Sequence, residues 1–490
     1  MKLTVKVTTM LVWSMTIAVH GQTTRHFDHV VVIVQENRTP DNLFQGLCVP
    51  PFGSASLCSS TPSATQYNIQ TSDWLNNQSP TGKTQPGEVA LANKYDLGHG
   101  HPDFVAMCDL QGGACKMDGA AGITCRPQKV CKTMKFPQFM KVQNSKGILN
   151  PYLELARQYG WANYMFQTNQ GPSFPAHQFL FGGTSAPTAL DDKKGVFASE
   201  NMSGTGIAGT HAAAGCTAQD GPPPKPQTRV KLIDSTGSET NLAPIYPCFE
   251  HDTLGDLLSK TSWKYYAPNA TSIWTAPNAI QHICVSTGPG GKCTGQEWLD
   301  HVDLVSSDVL RDINNCKLPG VSWVIPTGYN SDHAHDNDGG GPSWVAAIVN
   351  GIGHSATCDN NHGYWQNTAI FVVWDDWGGW YDHEAPTILQ SPQGGYQYGF
   401  RVPLIVISAY TQTAYIDNSS RYDFGSILRF TESNFGIQKG ALNFADARAT
   451  TDLTAFFTLA VPRVFEEIHA PKNAAFFLND KRPATDPDDE

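Results

Sequence analysis

The sequence is poor in charge. Only 16% of its 490 residues are Asp, Glu, Lys or Arg, and basic residues are the scarcer kind. Lys plus Arg total 33 against 44 Asp plus Glu, a formal net charge of −11. Phosphate backbones are held by basic patches, so a nucleic-acid partner is excluded. No Cys-x-x-Cys pair occurs, which weakens a zinc-ribbon or thioredoxin-type site. Past the N-terminus no stretch has the eighteen or more uncharged apolar residues of a membrane span. No internal repeat is present. Gly (44) and Pro (32) are plentiful, yet 40% apolar content builds a core, so global disorder is excluded too.

What is there begins with twelve cysteines. Their compartment is read from the N-terminus. Lys2 and Lys6 precede a short apolar stretch, residues 10–19 (MLVWSMTIAV), and the small Val19 and Gly21 suit cleavage after Gly21. That pattern predicts a signal peptide over residues 1–21 and a secreted or periplasmic protein. Export implies an oxidising compartment, so disulfides are the default reading. Cys48/Cys58 and Cys284/Cys293 are close pairs, and Cys108, Cys115, Cys125 and Cys131 crowd one region. Spacing alone leaves the connectivity open.

Four apolar runs read as strands buried on both faces, as in a parallel sheet: residues 30–34 (VVVIV), 321–325 (VSWVI), 370–374 (IFVVW) and 402–407 (VPLIVI). Residues 262–266 (SWKYY) are a weaker fifth. Helical patterns lie at 150–159, with Asn and Pro at its start, at 344–352 and at 426–435. This alternation predicts an α/β fold. Residues 22–469 read as one domain. Its two aperiodic, Gly/Pro-rich stretches, near 45–148 and 185–255, read as insertions, and 470–490 reads as a loose tail.

Ligands of open α/β sheets sit at the carboxyl ends of strands. Here one strand runs into Glu36-Asn37 and another into Asp375-Asp376. Adjacent carboxylates after a buried strand are costly unless a cation offsets them. Four oxygen donors suit one hard or borderline divalent metal, with calcium, magnesium, manganese, iron and zinc all compatible. Loop or helix capping is the alternative for each acid. Ser173 lies in a Gly-Pro turn at a helix start, where an anion is favoured and a serine beside a metal can attack phosphorus. An ordinary N-cap is the alternative. Histidines cluster in loops: His99 and His101, His333 and His335, and His383 beyond the Asp pair. Such residues could serve a phosphoryl group or its leaving oxygen. Trp374, Trp377, Trp380 and Tyr381 wall this pocket or simply pack the core.

QENRTPDNLF, GPSFPAH, NSDHAHDN with GPSWVAAIVN, WDDWGGWYDH and YGFRVPLIVIS, in that order, resemble the bacterial phosphoesterase family over about residues 27–440. The family includes secreted phospholipases C and a type of acid phosphatase. The resemblance implies an alkaline-phosphatase-like α/β/α sandwich and one metal held by Glu36, Asn37, Asp375, Asp376 and Ser173. It implies Ser173 as nucleophile, His99 and His333 in the pocket, and His101, His335 and His383 around the substrate. Ser rather than Thr at 173 leans towards the phosphatase branch, and phospholipase C is the runner-up. Ala176 stands where the family commonly has Asn, and Thr-Pro-Asp-Asn follows Arg38 where Ser-Phe-Asp-His is common. The implied substrate is a small phosphate ester or a phospholipid head group. A catalytically silent metal-binding surface protein is the rival from another class.

Overall fold

A computed structural model describes residues 25–202, 214–218, 228–387 and 396–485. The signal-peptide reading of residues 1–21, parts of the second insertion and the last five residues lie outside these.

The apolar runs form the middle of an eight-stranded sheet. In chain order its strands are β1 (His29–Gln35), β2 (Gly160–Ala162), β3 (Trp263–Tyr266), β4 (Val302–Asp303), β5 (Val321–Val324), β6 (Thr368–Trp374), β7 (Leu404–Ile407) and β8 (Tyr415–Asp417). They lie in the order β4-β3-β5-β1-β6-β7-β2-β8. β1 sits between β5 and β6, parallel to both, with Val32 opposite Trp323 on one side and Phe371 on the other. Every residue of β5, β6 and β7 is buried, as an apolar strand covered on both faces must be.

One expectation is corrected. β7 runs antiparallel to both β6 and β2. The run 402–407 is also interrupted at its start, because Pro403 has no N–H to give a ladder. The segment before it, Tyr398–Arg401, pairs instead with Phe166–Thr168 outside the main sheet. A continuous apolar run reports burial on both faces and carries no information on strand direction.

Side chains alternate across the sheet and so sort the helices into two layers. Lys264 and Tyr266 reach Asp312 of α4 (Asp308–Asn314), and Trp374 meets Tyr152 of α2 (Asn150–Gln158). α5 (Gly341–Gly353) packs in this layer with both. Trp263, Tyr265 and Trp323 point the other way, onto Phe181 of α3 (Ser173–Gly182), and Phe371 meets Phe430 of α6 (Phe424–Asn434). The result is an α/β/α sandwich.

The first insertion contains α1 (His101–Cys108) and short strand pairs, and it builds a second small core. Trp74, Phe104, Met107 and Phe139 of the insertion join Trp377, Trp380, Tyr381 and Phe400 there. Three disulfides staple this insertion: Cys48–Cys58, Cys108–Cys115 and Cys125–Cys131. Cys216–Cys248, Cys284–Cys293 and Cys316–Cys358 complete the pairing of all twelve cysteines. The C-terminal stretch read as a loose tail is docked as far as it is described. Asn473 caps α7 (Ala474–Asn479), Phe477 buries against Trp344, and Arg482 pairs with Asp338.

Candidate metal and nucleophile site

β1 and β6 end in register, Gln35 opposite Trp374, and the ladder continues one step as Asp375 N–H donates to Gln35 O at 2.9 Å. Alternation then decides where the next side chains go. Gln35 and Trp374 face the α2 layer, where Trp374 Nε1 donates to Asp332. Glu36 and Asp375, one position on, face α3 on the opposite side. Asn37 adopts left-handed backbone (φ 57), which an Asn tolerates better than most residues, and its N–H donates to Asp375 Oδ1. Asp376 is held by Gly378 N–H at 2.7 Å.

Ser173 is the first residue of α3, behind an extended Pro172. The preceding turn is tight: a Cβ on Gly171 would stand 1.8 Å from Ser199 O, so only glycine passes. The turn aims Ser173 Oγ at two carboxylates, Asp376 Oδ2 at 3.0 Å and Glu36 Oε2 at 3.3 Å. One helical turn further, on the same face, His177 Nε2 lies 3.1 Å from Glu36 Oε1 and 3.8 Å from Asp375 Oδ2. The sequence motif contains His177 without marking it as a site residue. The signal was its i, i+4 spacing from Ser173.

The imidazoles fix the protons. His99 Nδ1 donates to Leu97 O (2.7 Å) and His333 Nδ1 to Ala334 O (2.8 Å), because a carbonyl can only accept. Both rings therefore present an unprotonated Nε2 when neutral. Burial holds His333 neutral, with its pKa pushed down to about 3, and His177 follows to about 4. Asn37 Nδ2 donates to His99 Nε2 at 2.7 Å and stands 3.2 Å from His333 Nε2. Its Oδ1 then points at Glu36 Oε2 (3.2 Å) and Asp375 Oδ1 (3.3 Å). Turning the amide over would satisfy the carboxylates but leave both bare nitrogens facing an oxygen. A cation between the oxygens removes the conflict without turning it.

Eight side chains thus meet in a dry cluster: Glu36, Asn37, His99, Ser173, His177, His333, Asp375 and Asp376, none more than 1% exposed. Asp375 Oδ2 is buried without a hydrogen-bond partner, and among the described residues no Lys or Arg pairs with Asp375. Buried carboxylates left in this state are strongly disfavoured, and a divalent cation is the compensation that fits the donors. The residues present therefore fit a metal.

The remaining expected residues lie outside this cluster. His101 bridges Gln170 O (3.2 Å) and Gly237 O (3.1 Å), tying the second insertion to the turn before Ser173. His335 is half-exposed and pairs with Asp336 outside the buried cluster. His383 donates to Asp41 within a separate buried network. There Arg401 pairs with Asp382 (2.9 Å) and Asp41 (3.5 Å) and supplies the positive charge itself. The aromatic residues beside the Asp pair are buried and packed: Tyr381 stacks on Trp74, and Trp377 packs on Phe400. Asp332, pushed up to about 7 by burial, anchors the loop of His333 through Tyr152 and Trp374.

A profile described as the Phosphoesterase family matches residues 27–438. Among curated proteins, a non-hemolytic phospholipase C of Pseudomonas aeruginosa is 27% identical over 188 residues, 33% of this chain and 26% of that protein. Phospholipase C B of Mycobacterium tuberculosis is 29% identical over 181 residues, 32% of each. The matched region spans about a third or less of the length of these relatives. A solved protein of the alkaline phosphatase superfamily from Vibrio parahaemolyticus superposes with a TM-score of 0.32 at 11% identity, covering 61% of this chain and 63% of that one.

Proposed function

Since the chain belongs to the phosphoesterase family, we propose that it is a metal-dependent hydrolase of phosphoric esters with Ser173 as its nucleophile. The observation that carries this is the Ser173 hydroxyl, set at a helix start and hydrogen-bonded to Asp376 and Glu36 beside the unpartnered Asp375 oxygen. Glu36, Asn37, Asp375, Asp376 and Ser173 would hold one divalent ion. When bound, that ion supplies positive charge that favours ionised serine and neutralises phosphoryl oxygens.

The chain's own groups do the rest. Asp376 orients the Ser173 proton away from the attacking lone pair. The first turn of α3 offers N–H groups and a positive dipole end to the anion. Ser173 Oγ bonds to phosphorus as the bond to the leaving oxygen breaks, giving a phosphoserine, and water then attacks phosphorus and releases the serine. His99 and His333, each with its Nδ1 tied to a backbone carbonyl, are the imidazoles assigned to the phosphoryl group or its leaving oxygen.

A small phosphate monoester is the substrate we favour, on the strength of Ser173. The phospholipase C names of the relatives support a second reading, cleavage of phospholipid head groups. Hydrolysis of 4-nitrophenyl phosphate against 4-nitrophenyl phosphocholine separates the two. Six disulfides, together with the N-terminal reading, support a secreted or periplasmic location. Among the described residues no helix is long and apolar enough to cross a membrane. Ser173→Ala is expected to lower turnover at least about a thousand-fold while most of the metal is retained by the four remaining oxygen ligands. Elemental analysis beside the assay reads both, and substantial residual hydrolysis would remove Ser173 from the nucleophile's role.

A further inference from the structure

We propose that His177 is a nitrogen ligand of this metal centre, so that the ion held is of the imidazole-binding class, such as zinc or iron, rather than calcium or magnesium. The proposal rests on the metal-dependent reading above and deepens it.

His177 is held by Tyr265 on one ring nitrogen and meets the carboxylates with the other. Tyr265 Oη has a single hydrogen, and it donates this to Trp274 O at 2.7 Å. The same oxygen accepts from Ala276 N–H at 3.4 Å. Towards His177 Nδ1, 3.3 Å away, Tyr265 can therefore only accept. With Nδ1 turned to that oxygen, Nε2 is the ring nitrogen turned into the site, 3.1 Å from Glu36 Oε1 and 3.8 Å from Asp375 Oδ2. The Asp375 oxygen is fully buried and lacks any hydrogen-bond partner. Ligand atoms of Glu36, His177 and Asp375 all lie within 4.8 Å of one another. Two buried carboxylates and an imidazole nitrogen converging in a dry site form the donor set of a shared cation.

The surroundings fit a ligand as well. Metal-bound imidazoles commonly donate their second N–H to a fixed acceptor, which sets the tautomer and the ring plane. Tyr265, held by Trp274, is that acceptor here. Glu36 then joins the two halves of the centre, with Oε1 towards His177 and Oε2 towards Ser173. An imidazole in the set shifts preference towards zinc or iron, because magnesium and calcium favour oxygen.

The test is X-ray absorption at the zinc edge of the full chain, stripped with a chelator and given one equivalent of zinc. The expected result is one imidazole at about 2.0–2.1 Å alongside oxygen ligands. In His177→Gln the imidazole signal disappears, and zinc affinity falls at least about 100-fold. Magnesium affinity changes less than about threefold. Tyr265→Phe, a milder change, weakens zinc about tenfold with its circular dichroism intact. Tight zinc with an oxygen-only shell in the unaltered protein would overturn the proposal and leave the metal-dependent reading standing. An imidazole that persists in His177→Gln would overturn it equally. Failure of the unaltered protein to hold any divalent ion would overturn both.

Discussion

Asn37 shows how much one side chain settles. Its amide lies between His99 and His333 on one side and the Glu36 and Asp375 carboxylates on the other, an arrangement that a cation among the oxygens accommodates. Gly378 protects that arrangement. Its backbone is left-handed (φ 60), and a Cβ there would stand 2.4 Å from Asn37 O. Gly378→Ala is expected to cost about 1–3 kcal/mol of stability. Because it displaces Asn37 and Asp376 together, metal affinity should fall in the same variant. Thermal unfolding and metal titration read the two losses, and an unchanged affinity would show that the loop does not position the ligands. At this scale the sequence was most legible. Oxygen donors directly after buried strands, and a serine after a Gly-Pro turn, identify themselves by type and place. His335 did not, because spacing within an irregular loop fixes no common face, and its own backbone turns left-handed (φ 74).

Among the elements, α3 and the ends of β1 and β6 carry the site, and strand parity decides which of their side chains share it. The first insertion contributes His99, and it does so through cross-links rather than apolar periodicity. Leu97, whose carbonyl holds His99, pairs with Cys125, and Cys125 is bonded to Cys131. Replacing both cysteines by serine is expected to speed amide exchange around Leu97–His99 and to depress turnover. The contrasting pair is Cys316 and Cys358, 42 residues apart and outside the eight-residue cluster. Its removal should cost about 2–4 kcal/mol of global stability with turnover retained at low temperature. Equal effects of the two double variants on turnover would contradict this division. The insertions were legible only as irregular cysteine-bearing segments, since their pairing is set by which loops meet in space. β7 was legible as buried and not as antiparallel, for direction leaves no trace in an apolar run.

The whole molecule is an acidic sandwich with an enclosed site and a surface that titrates separately from it. His282 lies between Glu250 and Asp256, and the Asp256 hydrogen bond does most to lift its pKa to about 9. A histidine whose folded pKa is raised contributes stability that is complete below its unfolded value of about 6.5 and is lost as pH rises through about 9. The unfolding midpoint of the native chain should therefore exceed that of His282→Gln at pH 6. The gap should close above pH 9, and a constant gap would show that the contribution is not electrostatic. The acidic balance and the α/β class were both legible before any coordinates. The docking of Phe477 in a segment read as loose was not, because a single short helix gains its place only from the groove that receives it.

Whether Ser173 attacks phosphorus at a metal-bearing cluster is decided by comparing two esters in two proteins. Turnover of 4-nitrophenyl phosphate and 4-nitrophenyl phosphocholine is followed for the native chain and for Ser173→Ala, each at equal measured metal content. The native chain is expected to hydrolyse at least one ester, with a fall of at least about a thousand-fold in the variant. Hydrolysis by Ser173→Ala within about tenfold of the native rate, or none by a metal-loaded native chain, would contradict it.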